Sequence, residues 1–450
     1  MSDAAEQRPT TQARFVTGST LRHVMFMTAT GALGLMSVFA VDLLDLIYLS
    51  LLNQTEVTAA IGYAGILSFA NLSISIGTGI AAAALVARNI GARNVERARE
   101  YAGSTLLFTL IVTGLFSTGI AIGADFLLGL LGAHGEALRL AKLFLWTLIP
   151  GFIMLGGAIC CSFTLRGLGD AKRAMYITLS AAIATAILDP VFIFTLGLGI
   201  QGSAIAYVIA DAVALGVGLH GLIVVHKFLP PLGIPALRRD FSAIAGIALP
   251  AVLTQLATPF ANAYVTRAVA PFGDEAVAAS AIVGRLIPVA FGVIFSLSGA
   301  VGPIIGQNFG ARRFDRVRDT LRDGMIVSAI YTAITSLILF IFRHEVPALF
   351  KAQGATIAIV TFFCTWIAIS WAFAGAQFVA NAAFNNLGKP NYSTIVNWAK
   401  ATIGTIPLAW YGGHWYGPEG VLVGVAIGSV IFGIVSVIWA YRIANQLEKA

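Results

Sequence analysis

Charge is what this sequence has least of. Only 11% of its 450 residues are Asp, Glu, Lys or Arg, where a soluble globular chain carries about 25%. Too little water-facing surface remains for a soluble fold. Cysteine is nearly absent too: Cys160, Cys161 and Cys364 all lie in apolar stretches. None has metal-ligand spacing, and all three read as small apolar packers. The six histidines, at positions 23, 134, 220, 226, 344 and 414, are scattered along the chain. They form none of the His, Asp or Glu clusters that an integral-membrane enzyme needs at a membrane face, so no enzymatic activity is expected. Residues 1–20 lack an apolar core with a small-residue cleavage site, so no cleaved leader is expected.

Hydrophobic length is plentiful. Residues classed as hydrophobic make up 58% of the chain, and mean hydropathy is +0.86. A helix crossing lipid needs about 20 apolar residues. Such stretches fall near 22–52, 57–86, 102–131, 137–165, 173–196 and 200–226, then near 243–270, 276–309, 322–348, 354–386, 391–413 and 419–442. A membrane β-barrel is excluded, since its strands alternate over about ten residues instead. The expected fold is all-α and polytopic, with twelve spans in two six-helix bundles.

Lys and Arg orient the spans. Arg88, Arg93, Arg97 and Arg99 follow the second, Arg166, Lys172 and Arg173 the fourth, and Lys227, Arg238 and Arg239 the sixth. Arg312, Arg313, Arg316, Arg318 and Arg322 follow the eighth. The opposite links hold little beyond Arg139, Lys142, Arg343 and Lys351. Both termini are thus expected in the cytoplasm, and the net charge of +7 calls for no nucleic-acid partner. The expected division is a tail over 1–20, a bundle over 21–226, a cytoplasmic linker over 227–242, a bundle over 243–442 and a tail over 443–450.

The two halves repeat. Asn89-Ile-Gly91-Ala92-Arg93 returns as Asn308-Phe-Gly310-Ala311-Arg312, an offset of 219, and Leu168-Gly169 returns as Leu387-Gly388 at that offset. Gly199-x-x-Gly202 returns as Gly417-x-x-Gly420, one residue out of step. Six is an even number of crossings, so the copies are parallel repeats about the membrane normal, as in transporters that rock two halves about a central site.

Acids inside the bilayer are costly unless paired, hydrated or protonated. Four fall within spans: Asp42, Asp45, Asp189 and Asp211. Asp42 and Asp45 share the first span with Tyr48. Asp189 precedes Pro190, which cannot donate a backbone hydrogen bond and frees the carbonyl of Ala186. A carboxylate beside a freed carbonyl is a natural place for a proton or a small hard cation. Both odd-numbered spans run outward, so Asp45 and Asp189 are expected at one height, while Asp211 reads as structural. The second half offers Gln255, Pro259 and Asn262, then Gln377, Asn381, Asn385 and Asn386, with Arg267, Arg285 and Lys400 as its cations. Acids lie in one half, amides and cations in the other.

These residues resemble a known family, the multidrug and toxic compound extrusion (MATE) transporters. The likeness rests on Asp45-Leu-Ile-Tyr, Arg88-Asn89-x-Gly91-Ala92, Leu165-Arg166-Gly167-Leu168-Gly169 and Leu188-Asp189-Pro190-x-Phe192-Ile193-Phe194. Gly199-x-x-Gly202-Ser-Ala204, Gly306-Gln307-Asn308-x-Gly310-Ala311 and Asn386-Leu-Gly388-Lys389-Pro390 extend it over about residues 25–440. The resemblance implies a V-shaped pair of bundles that exports drug-like or amphipathic, often cationic, compounds in exchange for protons or sodium. It implies coupling at Asp45 and Asp189, with Thr185 and Asp42 nearby and sodium possible at the two acids. The expected substrate cavity includes Tyr48, Tyr207, Gln255, Asn262, Arg285, Gln377 and Asn381. With an amide at Gln255 and no acid in the tenth span, the chain is similar to the DinF-like branch. Thr185 and Tyr207 stand where asparagine and threonine are usual, which leaves proton and sodium both open. No cofactor is expected, and the protein is expected to act as a monomer in a bacterial inner membrane on small-molecule substrates.

Three other transport classes fit less well. A lipid-linked oligosaccharide flippase of the same wider superfamily favours a more cationic cavity. A major-facilitator protein wants an Asp after the second span, where Val95 stands. A channel presents repeated rings of selectivity residues, and none is seen.

Overall fold

The computed structural model describes residues 13–50 and 55–449. The expected tail over residues 1–12, the end of the first span at residues 51 and 52, and residue 450 lie outside the described residues. Among those described there are helices and no strand. The long ones are α1 (Thr20–Ser50), α2 (Thr55–Gly91), α3 (Val95–Leu130), α4 (Gly135–Gly167) and α5 (Ala171–Pro190, extended by a π turn over Val191–Thr195). They continue with α6 (Gly199–His220), α7 (Ile234–Val269), α8 (Asp274–Gly310) and α9 (Phe314–Ile341). A short α10 (Glu345–Leu349) leads to α11 (Ala355–Phe362) and α12 (Trp371–Asn386), and the chain ends on α13 (Asn391–Ala399) and α14 (Ile406–Lys449).

Eleven of the described stretches are long and apolar enough to span a membrane, the last running over Asn391–Lys449. That last stretch is two crossings. The backbone leaves helical geometry at Tyr416 and Gly417. Beyond the break the chain doubles back, so that a Cβ on Gly420 meets the Gly412 carbonyl, one on Gly424 the Leu408 carbonyl and one on Gly428 the Gly404 carbonyl. Rising numbers against falling ones describe an antiparallel hairpin, which makes twelve spans. Lipid suits the outside: α3 exposes Leu115, Ile122, Phe126 and Leu130 along one face.

Two expected boundaries are corrected. The linker over 227–242 is shorter, because α7 begins at Ile234, with Pro235 in its first turn where proline is well tolerated. The tail over 443–450 is helix as far as Lys449, because Glu448 pairs with Arg318 and holds the end of α14 against the bundle.

The repeat motifs fold alike. Arg93 and Arg312 both take a left-handed backbone, with φ of 59° and 55°. The Asn94 amide bonds the Asn89 carbonyl at 2.9 Å, and its counterpart Arg313 bonds Asn308 at 2.8 Å. Each turn ends one helix of a pair, α2 or α8, and these helices cross. A Cβ on Gly91 would lie 2.0 Å from the Gln307 carbonyl oxygen, and one on Gly310 would lie 2.0 Å from the Arg88 carbonyl oxygen. Arg88 and Gln307 are themselves 219 apart, so the crossing is two-fold symmetric, and it closes only without side chains.

More contacts clasp the halves at this basic end. Arg88 donates to the carbonyls of Asn386 at 2.8 Å and Asn385 at 2.5 Å. Gln307 Nε2 donates to the Gly167 carbonyl at 2.9 Å. Asp240 on α7 accepts from Arg97 at 2.7 Å and Ser104 at 2.7 Å, both on α3. The segment before α1 straps across: the Phe15 amide donates to Gln307 Oε1 at 3.1 Å, and Arg316 donates to the Phe15 carbonyl at 2.8 Å. Away from this end the halves part. The face of α2 that meets Val252 at Gly77 and Gln307 at Gly91 is bare at Gly62, which has nothing within 4 Å, and at Ile66 and Phe69. The result is a cleft closed at the basic end and open at the other.

A titratable cluster outside the spans stabilises the N-terminal half. Asp170 caps α5 by accepting from the Arg173 amide at 3.2 Å, and its Oδ2 meets Arg173 Nη1 at 2.5 Å and His226 Nε2 at 2.9 Å. Burial opposes its charge, but His226 and Arg173 outweigh burial and hold the carboxyl well below the usual range. A depressed carboxylate contributes stability that is full above about pH 4, its unfolded value, and is lost as pH falls toward the folded one. Asp170→Asn keeps the cap and removes the charge. It is expected to cost about 1–2 kcal/mol at pH 7. In thermal unfolding in detergent, the gap to wild type should shrink from pH 5 to pH 3; a gap constant over that interval would assign the effect to something other than the charge.

Candidate ion and substrate sites

The acids of the N-terminal half converge where α1, α5 and α6 meet. A Cβ on Gly34 of α1 would touch Thr178 of α5. Asp45 and Asp189 each lie eleven residues beyond that contact on helices running the same way, so they share a height, as expected. Both are buried, Asp45 at 6% and Asp189 at 1% exposure. Ser203 Oγ on α6 donates to Asp45 Oδ1 at 2.9 Å. The two carboxyl groups are within interaction range of each other, yet neither oxygen of Asp189 receives a hydrogen bond from a protein donor. Two carboxyl groups bond one another only when one carries a proton.

Pro190 leaves its mark where the sequence puts it. It closes α5, and the chain runs on into the π turn, where the Leu196 amide reaches the Val191 carbonyl at 2.9 Å. Thr185 is buried one turn before Asp189. Asp42 is exposed and accepts from Tyr207 at 3.4 Å. Tyr48 sets its ring edge-on to Phe194 at 5.9 Å. Asp211 is apart from this cluster, facing α4 beside Gly151.

The C-terminal half carries a ladder of amides ending on a cation. Asn397 Nδ2 donates to Asn381 Oδ1 at 3.1 Å, Gln377 Nε2 donates to Asn397 Oδ1 at 3.2 Å, and Lys400 Nζ donates to Gln377 Oε1 at 3.2 Å. Gln255 is half-buried, while Asn262, Arg267 and Arg285 are exposed. Thus Gln377 and Asn381 come together, whereas Gln255 and Asn262 make no side-chain hydrogen bond with them. Ser203 and Asn397 were missed as partners. Ser203 stands inside the Gly202-Ser-Ala204 motif, where it could have been found; Asn397 carries no sequence signal.

The MatE family model matches residues 32–191 and 250–411. The chain belongs to the MatE family. The two matched stretches fall where the repeat places the two bundles. Among curated relatives, a protein of Shewanella oneidensis named "FAD transporter" is 29% identical over 433 residues, spanning 95% of this chain and 96% of that protein. The multidrug export protein MepA of Staphylococcus haemolyticus is 23% identical, covering 90% of each chain. The Vibrio cholerae MATE transporter VcmN in its bent form superposes with a TM-score of 0.89 at 24% identity, over 95% of this chain and 98% of that one. This MATE protein is a multi-pass membrane transporter.

Proposed function

We propose that this MATE protein is a secondary antiporter that exports drug-like or amphipathic compounds from the cytoplasm in exchange for protons or sodium by alternating access. One observation carries the reading: Asp189 is buried against Asp45, and no donor among the described residues satisfies it. Such a pair holds a cation better than it holds itself. A proton can bridge the two carboxyl groups, or sodium can sit among their oxygens with Ser203 and Thr185 beside them. The acids on α1 and α5 fit the DinF-like branch. The basic end faces the cytoplasm in this reading, with both termini there, and the open cleft faces outward.

Loading Asp45 and Asp189 from outside removes charge from the packed N-terminal helices. The π turn after Pro190 is the flexible joint at which their packing changes. The loaded form then favours release of the exported compound and closure of the outer cleft, and the ion leaves to the cytoplasm. An ion drives the cycle only through different affinities for the two states. A lipid-linked oligosaccharide flippase is the second reading, favoured by the cations Arg267, Arg285 and Lys400. Proteoliposomes loaded with amphipathic dyes, cationic and anionic in turn, and given a pH gradient or a sodium gradient separately test the proposal. Efflux driven by one of the gradients is expected; efflux indifferent to both would overturn it.

A further inference from the structure

Arg166 is used by neither the coupling site nor the clasp. It belongs to α4 near the basic end, where an arginine ordinarily snorkels to the nearby water. This one points the other way. A Cβ on Gly31 of α1 would lie 2.9 Å from its Nη1, and one on Gly299 of α8 would lie 3.2 Å away. Those glycines are each eleven residues from the basic ends of their helices, Thr20 and Gly310, which is about 16 Å inward. The guanidinium therefore crosses from the N-terminal half to the C-terminal half in a notch that two glycines keep open. Among the described residues its Nε, sealed from solvent, finds no hydrogen-bond partner, and no acid lies against it.

Two more cations that form no ion pair among the described residues, Arg285 and Lys400, lie outward of it on the C-terminal half. On α8, Gly292, Gly299 and Gly306 form a heptad-spaced stripe that meets the other half. Arg285 stands one heptad outward on that stripe, past the point where the halves part, and is exposed. Asp42, opposite it on α1, bonds Tyr207 instead. Lys400 lies between in height, since its partner Gln377 adjoins Phe378, whose ring meets Phe295 of α8 at 5.6 Å. Its one polar partner is a neutral amide. From Arg285 to Gly299 is about 21 Å along the helix. Of the three, only Arg285 stands opposite a carboxylate, and charges held as Arg166 and Lys400 are, with no acid bonded to them among the described residues, are costly unless an anion is supplied.

Resting on the transport reading above, we propose that the cleft binds oxyanions, phosphate or pyrophosphate groups on an aromatic or otherwise apolar body, and that Arg166 is their principal contact. A guanidinium offers a planar fork of donors matched to two phosphate oxygens. Arg285 draws the anion into the cleft, and Lys400 adds a point charge midway. The apolar body lies against the bare faces of α2 and α8.

Flavins provide the test, because riboflavin and FMN differ by one phosphate. Binding to the detergent-solubilised full chain is followed by flavin fluorescence. FMN is expected to bind at least about tenfold tighter than riboflavin, the effect of one charge-assisted contact. Arg166→Gln should reduce that preference to about twofold or less, leaving riboflavin unchanged, and Arg166→Lys should keep part of it. Inorganic pyrophosphate should displace FMN from the wild type, a measurement that needs no variant. A polyprenyl phosphate competing where FMN does not bind would place the same phosphate on a lipid. Equal binding of riboflavin and FMN with no displacement by pyrophosphate or polyprenyl phosphate would overturn the proposal, as would a folded Arg166→Gln protein with full phosphate preference. Gradient-driven dye efflux without phosphate preference would overturn this inference alone. Phosphate preference without gradient-driven efflux of any compound would instead remove the antiport reading.

Discussion

Asp189→Asn is expected to insert and fold as wild type and to lose gradient-driven export. An amide is cheaper to bury than a carboxylate, and Asp189 forms no hydrogen bond to a protein donor that the exchange would break. What disappears is ionisation. An asparagine neither takes up a proton nor holds a cation by charge, so the ion loses its differential affinity for the two states and the cycle its drive. Efflux from proteoliposomes at matched incorporation should fall at least about tenfold under whichever gradient drives the wild type. Asp45→Asn should do the same, although Ser203 still has an oxygen to bond. Asp211→Asn should be far milder, since Asp211 is apart from the carboxyl pair and from the π turn. Wild-type-like efflux by Asp189→Asn under both gradients would place the coupling elsewhere.

Gly310→Ala should be nearly as damaging, by a different route. Its Cβ would lie 2.0 Å from the Arg88 carbonyl oxygen and 2.9 Å from the Ala92 amide nitrogen, both backbone atoms that no rotamer can move aside. The helices must separate, and the clasp opens with them: the Arg88 bonds to Asn385 and Asn386, and that from Gln307 to Gly167, all span the crossing. Because the motif repeats, Gly91→Ala makes the same demand against Gln307. Both variants should favour the state open at the basic end and cut transport at least about tenfold, since a few kcal/mol suffices to invert a two-state population. A cysteine introduced at buried Ala87 reports the change by reaction with an impermeant maleimide, because the three native cysteines are buried. Gly284→Ala is the control, as nothing lies within 4 Å of it. Unchanged labelling and transport in Gly310→Ala would mean that the crossing tolerates a methyl group and is no gate.

Lipid-scale hydrophobic length and the spacing of basic residues made most of the fold legible. Asn89-x-Gly91 and Asn308-x-Gly310 announced the symmetry, and Asp45 and Asp189 announced their common height, because both follow from counting along helices. What stayed hidden depends on how helices rotate against one another. The direction of Arg166 is set by Gly31 and Gly299, more than a hundred residues away in either direction. The pairing of Asn397 with Gln377 and Asn381 follows from the packing of α13 on α12. Tertiary packing also decides that α14 runs on to Lys449, held there by an ion pair from Arg318 to Glu448.

The strap before α1 bears on how the molecule is made. Phe15 leaves the ribosome well before Gln307, Asn308 and Arg316, the residues that hold it. About 300 residues must be synthesised and inserted between Phe15 and its partners, so a segment made early is among the last to find its place. Until then its buried ring has no home. A bulky domain fused close to Phe15 would burden that final step more than one fused after α14, and the two fusions should differ first in yield of folded protein.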